Sequence, residues 1–115
     1  TMLKRTHRLT KKDNFESILK NGGKSLGRLL VFRMRENQKD SHRFGVVISQ
    51  KVGARAVDRN RIKRQINEIV RLNYDKLPQK SHFDILILPK KAIMEATHQE
   101  IKDDLLYLIS RFNEK

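Results

Sequence analysis

The chain contains no cysteine and no tryptophan, and only two of its 115 residues are proline and five are glycine. Without cysteine it can form neither a disulfide nor a thiolate metal site, which predicts a cytoplasmic location. So few prolines and glycines argue against disorder or a long linker. No hydrophobic run approaches the roughly 18 residues that span a bilayer, and the basic N-terminal stretch lacks the apolar segment of a signal peptide. The composition predicts a single domain over residues 1–115.

The formal net charge of +13 is concentrated in two segments. Residues 1–35 carry ten lysines and arginines against two acidic residues, and residues 51–71 carry seven against two. In the rest of the chain the charges balance. A merely solubilising surface would spread its charge, so this concentration predicts a site for a polyanion. A membrane surface is disfavoured as the partner because neither segment joins a strong apolar face to tryptophan anchors.

Hydrophobic spacing predicts an α+β two-layer sandwich. We expect a helix over about residues 11–20 that stops at Gly22 and Gly23, followed by strands over 29–35 and 43–49 that pair as an antiparallel hairpin. A long helix over 57–74, a buried strand over 83–88 and a last helix after the Thr97–Glu100 capping box complete the chain. Arg33 and Arg35 are expected on a strand face that helices leave partly open, and Asp103 and Asp104 as exposed charges.

The long helix carries the clearest candidate site. Its polar residues Asn60, Arg64, Asn67 and Arg71 follow one stripe directly opposite the apolar residues, with Arg61 and Lys63 on either side. Guanidinium groups bond two phosphate oxygens at once, and amides can bond phosphate, ribose or a base edge. An ordinary solvated helix face would intersperse glutamates at i,i+4 spacing, and past the helix start only Glu68 is available. The stripe therefore favours phosphate binding.

Residues 56–64, Ala-Val-Asp-Arg-Asn-Arg-Ile-Lys-Arg, closely resemble the signature of the bacterial ribonuclease P protein family. The resemblance extends in order over nearly the whole chain, through Arg8-Leu9 with Phe15, the strand at 28–31, the strand at 44–49 and the strand at 84–87. It implies a four-stranded sheet with a left-handed βαβ crossover, the ribosomal protein S5 domain 2-like fold.

The resemblance also implies partners, chemistry and site residues. The partners are the ribonuclease P catalytic RNA and the 5′ leader of precursor tRNA, with one protein monomer per RNA. The RNA cleaves off the leader in a Mg²⁺-dependent reaction, and no cofactor is expected on protein side chains. The implied contacts to the catalytic RNA are Arg59, Asn60, Arg61, Lys63 and Arg64; with Arg55, Asn67 and Arg71 they form our predicted RNA-binding set. The implied leader cleft lies between the sheet and the first helix, and our predicted cleft set is Phe15, Leu19, Val31, Arg33, Ser49 and Lys51.

Some positions depart from the family pattern, and two other functions compete. Family members often carry aromatic residues where this chain has Leu19 and Arg33, which predicts weaker stacking on leader bases and stronger phosphate contact. Gln50 and Asn67 replace residues that are usually basic. The alternatives are a basic ribosomal or general RNA-binding protein, and an independent ribonuclease. The four histidines are dispersed in the sequence and none lies at the spacing of a helical metal pair, so we expect no catalytic or metal site on the protein.

Overall fold

The computed structural model of the chain describes residues 7–9 and 15–112. Its helices are α1 (Phe15–Asn21), α2 (Ala56–Asn73) and α3 (His98–Phe112), and its strands are β1 (Gly23–Leu26), β2 (Leu30–Asn37), β3 (Arg43–Val46) and β4 (His82–Pro89). Short 3-10 helices follow α2 and β4, over Tyr74–Lys76 and Lys91–Glu95. The predicted α+β class is confirmed. The part of the first helix predicted over residues 11–14 lies outside the described residues.

The four strands form one sheet in the order β1-β2-β4-β3. Strand β4 pairs antiparallel with β2 and parallel with β3, so it lies between the two strands that were predicted to form a hairpin. The predicted hairpin is therefore wrong. The physical reason is the burial of β4, whose residues Ile85, Leu86 and Ile87 are completely buried. A strand that is apolar on both faces is most stable inside a sheet, so β4 lies between β2 and β3.

The β3–α2–β4 segment is a βαβ unit with parallel strands, as the family resemblance implied. Its left-handedness stays a prediction. Strand β3 ends at Val46, three residues before the predicted end, although the Val47 N–H still donates to the Ile87 carbonyl at 2.9 Å. The chain then turns at Ser49, whose carbonyl accepts from two backbone N–H groups at 3.1 Å, and leads into α2.

Strand β1 was not predicted, because of its four residues only Ser25 is buried and no alternation is visible. It pairs antiparallel with β2 from Gly23 opposite Met34 to Leu26 opposite Val31. Gly22 makes the tight joint between α1 and β1 possible. A Cβ atom at this position would lie only 2.4 Å from the Ile18 carbonyl oxygen and 2.6 Å from that of Met34.

The two faces of the sheet support separate apolar clusters. The larger cluster joins one face to α2 and α3, and it contains the predicted α2 stripe of Ile62, Ile66, Ile69 and Val70. The smaller cluster joins the other face to α1 and centres on Leu9, Ile18 and Leu86. The face that carries Arg33 and Arg35 is thus covered in part by α1. Within the described residues, no helix is long and apolar enough to span a membrane.

Asp104 is buried, so the prediction that it is an exposed charge is wrong. Its carboxylate accepts hydrogen bonds from the backbone N–H groups of Arg28, Leu29 and Leu30 at 2.8 to 2.9 Å. It therefore fixes the turn between β1 and β2 from the neighbouring helix. The capping box at the start of α3 is confirmed, because Thr97 and Glu100 exchange side-chain and backbone hydrogen bonds at 2.8 and 3.1 Å.

Candidate nucleic-acid interface

The outer face of α2 presents a group of unpaired cations. Among the described residues, no hydrogen bond or ion pair occupies the side chains of Arg61, Lys63 and Arg64, and Arg64 is exposed. Asn60 is exposed and Asn67 half-buried, as expected for a stripe opposite the core residues. Cations without protein partners keep all their N–H donors available, so this surface suits phosphate oxygens.

Two other arginines of the predicted RNA-binding set have acidic partners one turn away. Arg55 donates to both carboxylate oxygens of Asp58 at 2.8 and 3.1 Å, and Arg71 to both oxygens of Glu68 at 3.2 and 2.5 Å. Hydrogen bonds from these arginines lower the pKa of each carboxyl group. Exposed ion pairs of this type contribute little to stability. A phosphate can therefore replace the carboxylate at small cost.

Arg59 supports the loop that leads into α2. Its Nη1 donates to the carbonyl oxygens of Gly53 at 2.7 Å and Ala54 at 3.0 Å. These bonds turn the Arg59 side chain back toward the start of the helix. Gly53 is buried against it, and a Cβ atom there would lie 3.1 Å from Arg59 Cγ. Arg59 thus positions the loop, while its contact with RNA stays a prediction.

An apolar strip crosses the α1 side of the sheet, where the family resemblance implies the leader cleft. Val31 on β2 lies opposite Leu88 on β4 and Leu26 on β1, and Val47 continues the strip past β3. Val31, Val47 and Leu88 are half-buried, and Leu26 is 57% exposed. Of these, only Val31 was predicted as a cleft residue. The others were missed because their adjacency depends on the order of the strands.

The remaining predicted cleft residues lie around this floor. Phe15, at the start of α1, is half-buried against the smaller core cluster and also lies close to Gly45, so it contributes to the core and to the cleft edge. Leu19 is 36% exposed on the same helix. Ser49 and Lys51 are exposed in the loop after β3. The structure thus places the predicted cleft residues on α1, on β2 and in the loop that joins β3 to α2.

Arg35, Asp84 and Arg43 form a row of charges across the same face, which we call the ion row. Arg43 donates to both carboxylate oxygens of buried Asp84 at 2.8 Å, and the Nη2 atom of Arg35 lies 3.8 Å from one of them. Arg35 also donates to the Ser17 hydroxyl of α1 at 2.6 Å. The ion row therefore anchors α1 over one end of the sheet, and Arg35 is engaged rather than simply solvated.

Three histidines that are dispersed in the sequence come together beside Tyr74. The His7 ring stacks on the Tyr74 ring with 4.0 Å between centroids, and the His42 ring lies 5.0 Å from that of His82. His42 is buried; its Nε2 donates to the Pro78 carbonyl at 2.7 Å, and its Nδ1 accepts from the Phe83 N–H at 3.1 Å. Burial lowers the pKa of His42. Both ring nitrogens are engaged, and within the described residues no cluster of histidines and carboxylates could hold a metal ion.

These features define a class of protein. A basic α+β domain with unpaired cations along one helix and an apolar cleft beside another is an RNA-binding protein. Residues 3–113 match the family Ribonuclease P, and the chain belongs to that family. The assignment sets aside the ribosomal-protein alternative. Involvement in tRNA 5′ processing, as part of an endoribonuclease ribonucleoprotein, follows from the family.

Relatives and solved structures agree with this assignment. The chain is 32% identical to the ribonuclease P protein component of Alkaliphilus oremlandii over 111 residues, covering 96% of this chain and 95% of that protein. It is 35% identical to that of Clostridium kluyveri over 105 residues, covering 91% and 93%. The structure of the ribonuclease P protein from Thermotoga maritima superposes with a TM-score of 0.81 at 32% identity, covering 90% of this chain and 96% of that one.

Proposed function

We propose that this protein binds the ribonuclease P catalytic RNA through the outer face of α2 and the 5′ leader of precursor tRNA through the cleft beside α1. In this proposal the RNA carries the chemistry and requires Mg²⁺, and the protein grips the substrate. One protein monomer serves each RNA, in the cytoplasm.

The observation that carries the first contact is the set of unpaired cations on α2. Within the described chain Lys63 and Arg64 have no acidic partner, and Arg61 makes no hydrogen bond or ion pair, although its charge helps to lower the pKa of Asp58. The carboxylates of Asp58 and Glu68 pair with other arginines. A large folded RNA offers many phosphates along one surface, so a rigid helix can present several cations to it at once. Because α2 is fixed by its buried isoleucines, little conformational entropy is lost on binding.

The surface beside α1 has the chemistry for a single strand. Its floor is the apolar strip, which suits the faces of unstacked bases, and Phe15 adds one aromatic ring at the edge. Cations lie on two sides, with Arg33 on β2 and Lys51 in the loop after β3. Such a combination of apolar floor and basic edges is typical of sites that bind single strands with little sequence preference.

The first experiment is cleavage of a precursor tRNA by a bacterial ribonuclease P RNA at low Mg²⁺, with and without this protein. We expect leader removal only when both components are present. A matched control is Lys102→Gln, which removes one positive charge from α3 on the far face of the sheet and should stimulate cleavage like the wild type. Failure to stimulate a cognate RNA, or cleavage by the protein alone, would contradict the proposal.

A further inference from the structure

Two like charges lie directly opposite each other on the cleft side of the sheet. Lys24 on β1 and Arg33 on β2 are register partners in an antiparallel pair, so their side chains share one face with Cβ atoms about 5 Å apart. Like charges in this arrangement repel each other. The same row continues with Leu86 on β4 and Gly45 on β3, which supply no negative charge.

Both cations keep unused donors. Arg33 donates from Nη2 to the Leu19 carbonyl in the last turn of α1, and among the described residues its guanidinium group has no acidic partner. Lys24 is exposed, and in the described part of the chain its ammonium group has no hydrogen bond or ion pair. The described part of the protein therefore leaves the two positive charges without a neutralising partner.

The acidic residue of the described strands that lies on this face cannot complete the pair. Asp84 lies in the ion row, one row away from Arg33. Both of its oxygens accept from Arg43, and one also accepts from Asn37 at 2.8 Å. Within the described strands no carboxylate therefore neutralises Lys24 and Arg33, and the ligand that suits such a pair is an anion.

We propose that Lys24 and Arg33 together hold one phosphodiester group of the 5′ leader, at the border of the apolar strip. This inference rests on the proposed function of the cleft and names the group that the two side chains bind. A phosphate presents two unesterified oxygens, so it can accept from the Arg33 guanidinium and the Lys24 ammonium at once. Its charge also removes their mutual repulsion. Because every nucleotide carries a phosphate, this contact is independent of leader sequence.

The test measures binding of precursor tRNA to the holoenzyme reconstituted from the catalytic RNA and the protein. Single neutral methylphosphonate linkages are placed at successive leader positions, and the proteins are the wild type, Lys24→Gln, Arg33→Gln and the control Lys102→Gln. With the wild type and the control, we expect one linkage to weaken binding by about tenfold, as for loss of a charged hydrogen-bonded contact. With either cleft variant, the same linkage should cause little further loss.

Two results would overturn the shared site. One is that Lys24→Gln and Arg33→Gln become insensitive to different linkages; the other is that both keep the wild-type sensitivity at every position. Failure of the proposed function gives a different result, because the wild-type holoenzyme would then bind leader-bearing precursor and mature tRNA equally well. Thermal unfolding followed by circular dichroism checks that both variants are folded, and exposed Lys24 provides the variant least dependent on packing.

Discussion

Replacing Asp104 by asparagine tests whether α3 organises the turn between β1 and β2. The Oδ1 atom of Asp104 accepts from the Arg28 N–H, and Oδ2 accepts from the N–H groups of Leu29 and Leu30. An asparagine fits the same space, but its amide nitrogen is a donor and can satisfy at most two of these groups through its oxygen. Losing one bond to a charged acceptor and leaving its N–H without a partner predicts a loss of about 2–4 kcal/mol in the free energy of unfolding.

Urea unfolding followed by circular dichroism measures this loss. With a denaturant slope of about 2 kcal/mol/M, the middle of the range for small proteins, the midpoint should fall by about 1–2 M. The matched control is Asp103→Asn, because the exposed Asp103 carboxylate accepts only from Gln99 at 2.8 Å among the described groups and the change should cost less than about 0.5 kcal/mol. Equal midpoints for the two variants would refute the role of Asp104. Because β1 and β2 carry Lys24 and Arg33, Asp104→Asn should also weaken leader binding more than binding of the catalytic RNA.

Three further predictions concern the α2 surface, the histidine cluster and the joint after α1. Arg64→Ala should lower the slope of log affinity against log salt for the catalytic RNA by about 0.7–0.9, and an unchanged slope would remove Arg64 from the phosphate contacts. Because the pKa of His42 is lowered from 6.5, the unfolded chain binds a proton at this residue more tightly than the folded chain. The free energy of unfolding should therefore decrease as the pH is lowered below 6.5, by at most about 1.4 kcal/mol per pH unit. Urea titrations over this range should show this fall both for the wild type and for the exposed control His98→Gln. A free energy of unfolding that does not change with pH would contradict the role of His42. Gly22→Ala should lower the urea midpoint markedly, since its Cβ would overlap two carbonyl oxygens, whereas the exposed Gly23 should tolerate alanine.

The helices were predictable because their signals are local. The α2 stripe of Ile62, Ile66 and Ile69 repeats within one segment, and the structure begins and ends that helix within one residue of the prediction. The capping box before α3 is likewise complete within four residues. Such patterns depend on neighbours in sequence, so they can be recognised without knowledge of the rest of the fold.

Strand pairing was not predictable in the same way. Strands β2 and β3 are separated by a short loop, which favours a hairpin, but burial of β4 on both faces places it between them. The free energy that decides this arrangement comes from residues about 40 positions away. The burial of Asp104 has the same origin, because its three donors lie more than 70 residues earlier. The local sequence shows the apolar run of β4 but not which strands β4 pairs with, and it shows nothing of the donors that bind Asp104.

The candidate site shows the same difference between residues on one helix and residues that the sheet brings together. The α2 stripe was visible in the sequence, but its ion pairs show that Arg55 and Arg71 are less available than Arg64. In the cleft, Leu88 and Val47 could not be associated with Val31 until the sheet order was known. The residues that a helix brings together were found, and those that the sheet brings together were missed.

The sheet order also explains why the α1 side of the protein is left partly open rather than forming a closed core. Insertion of β4 places Asp84 between Arg35 and Arg43, and this ion row bonds α1 through Ser17 at one end of the sheet. In the next row, the Arg33 side chain bonds the last turn of α1. The third row is the apolar strip, where the helix ends and Leu26 remains exposed. The described part of α1 is fixed over two rows and leaves the third partly exposed, and this is the surface to which we assign the leader.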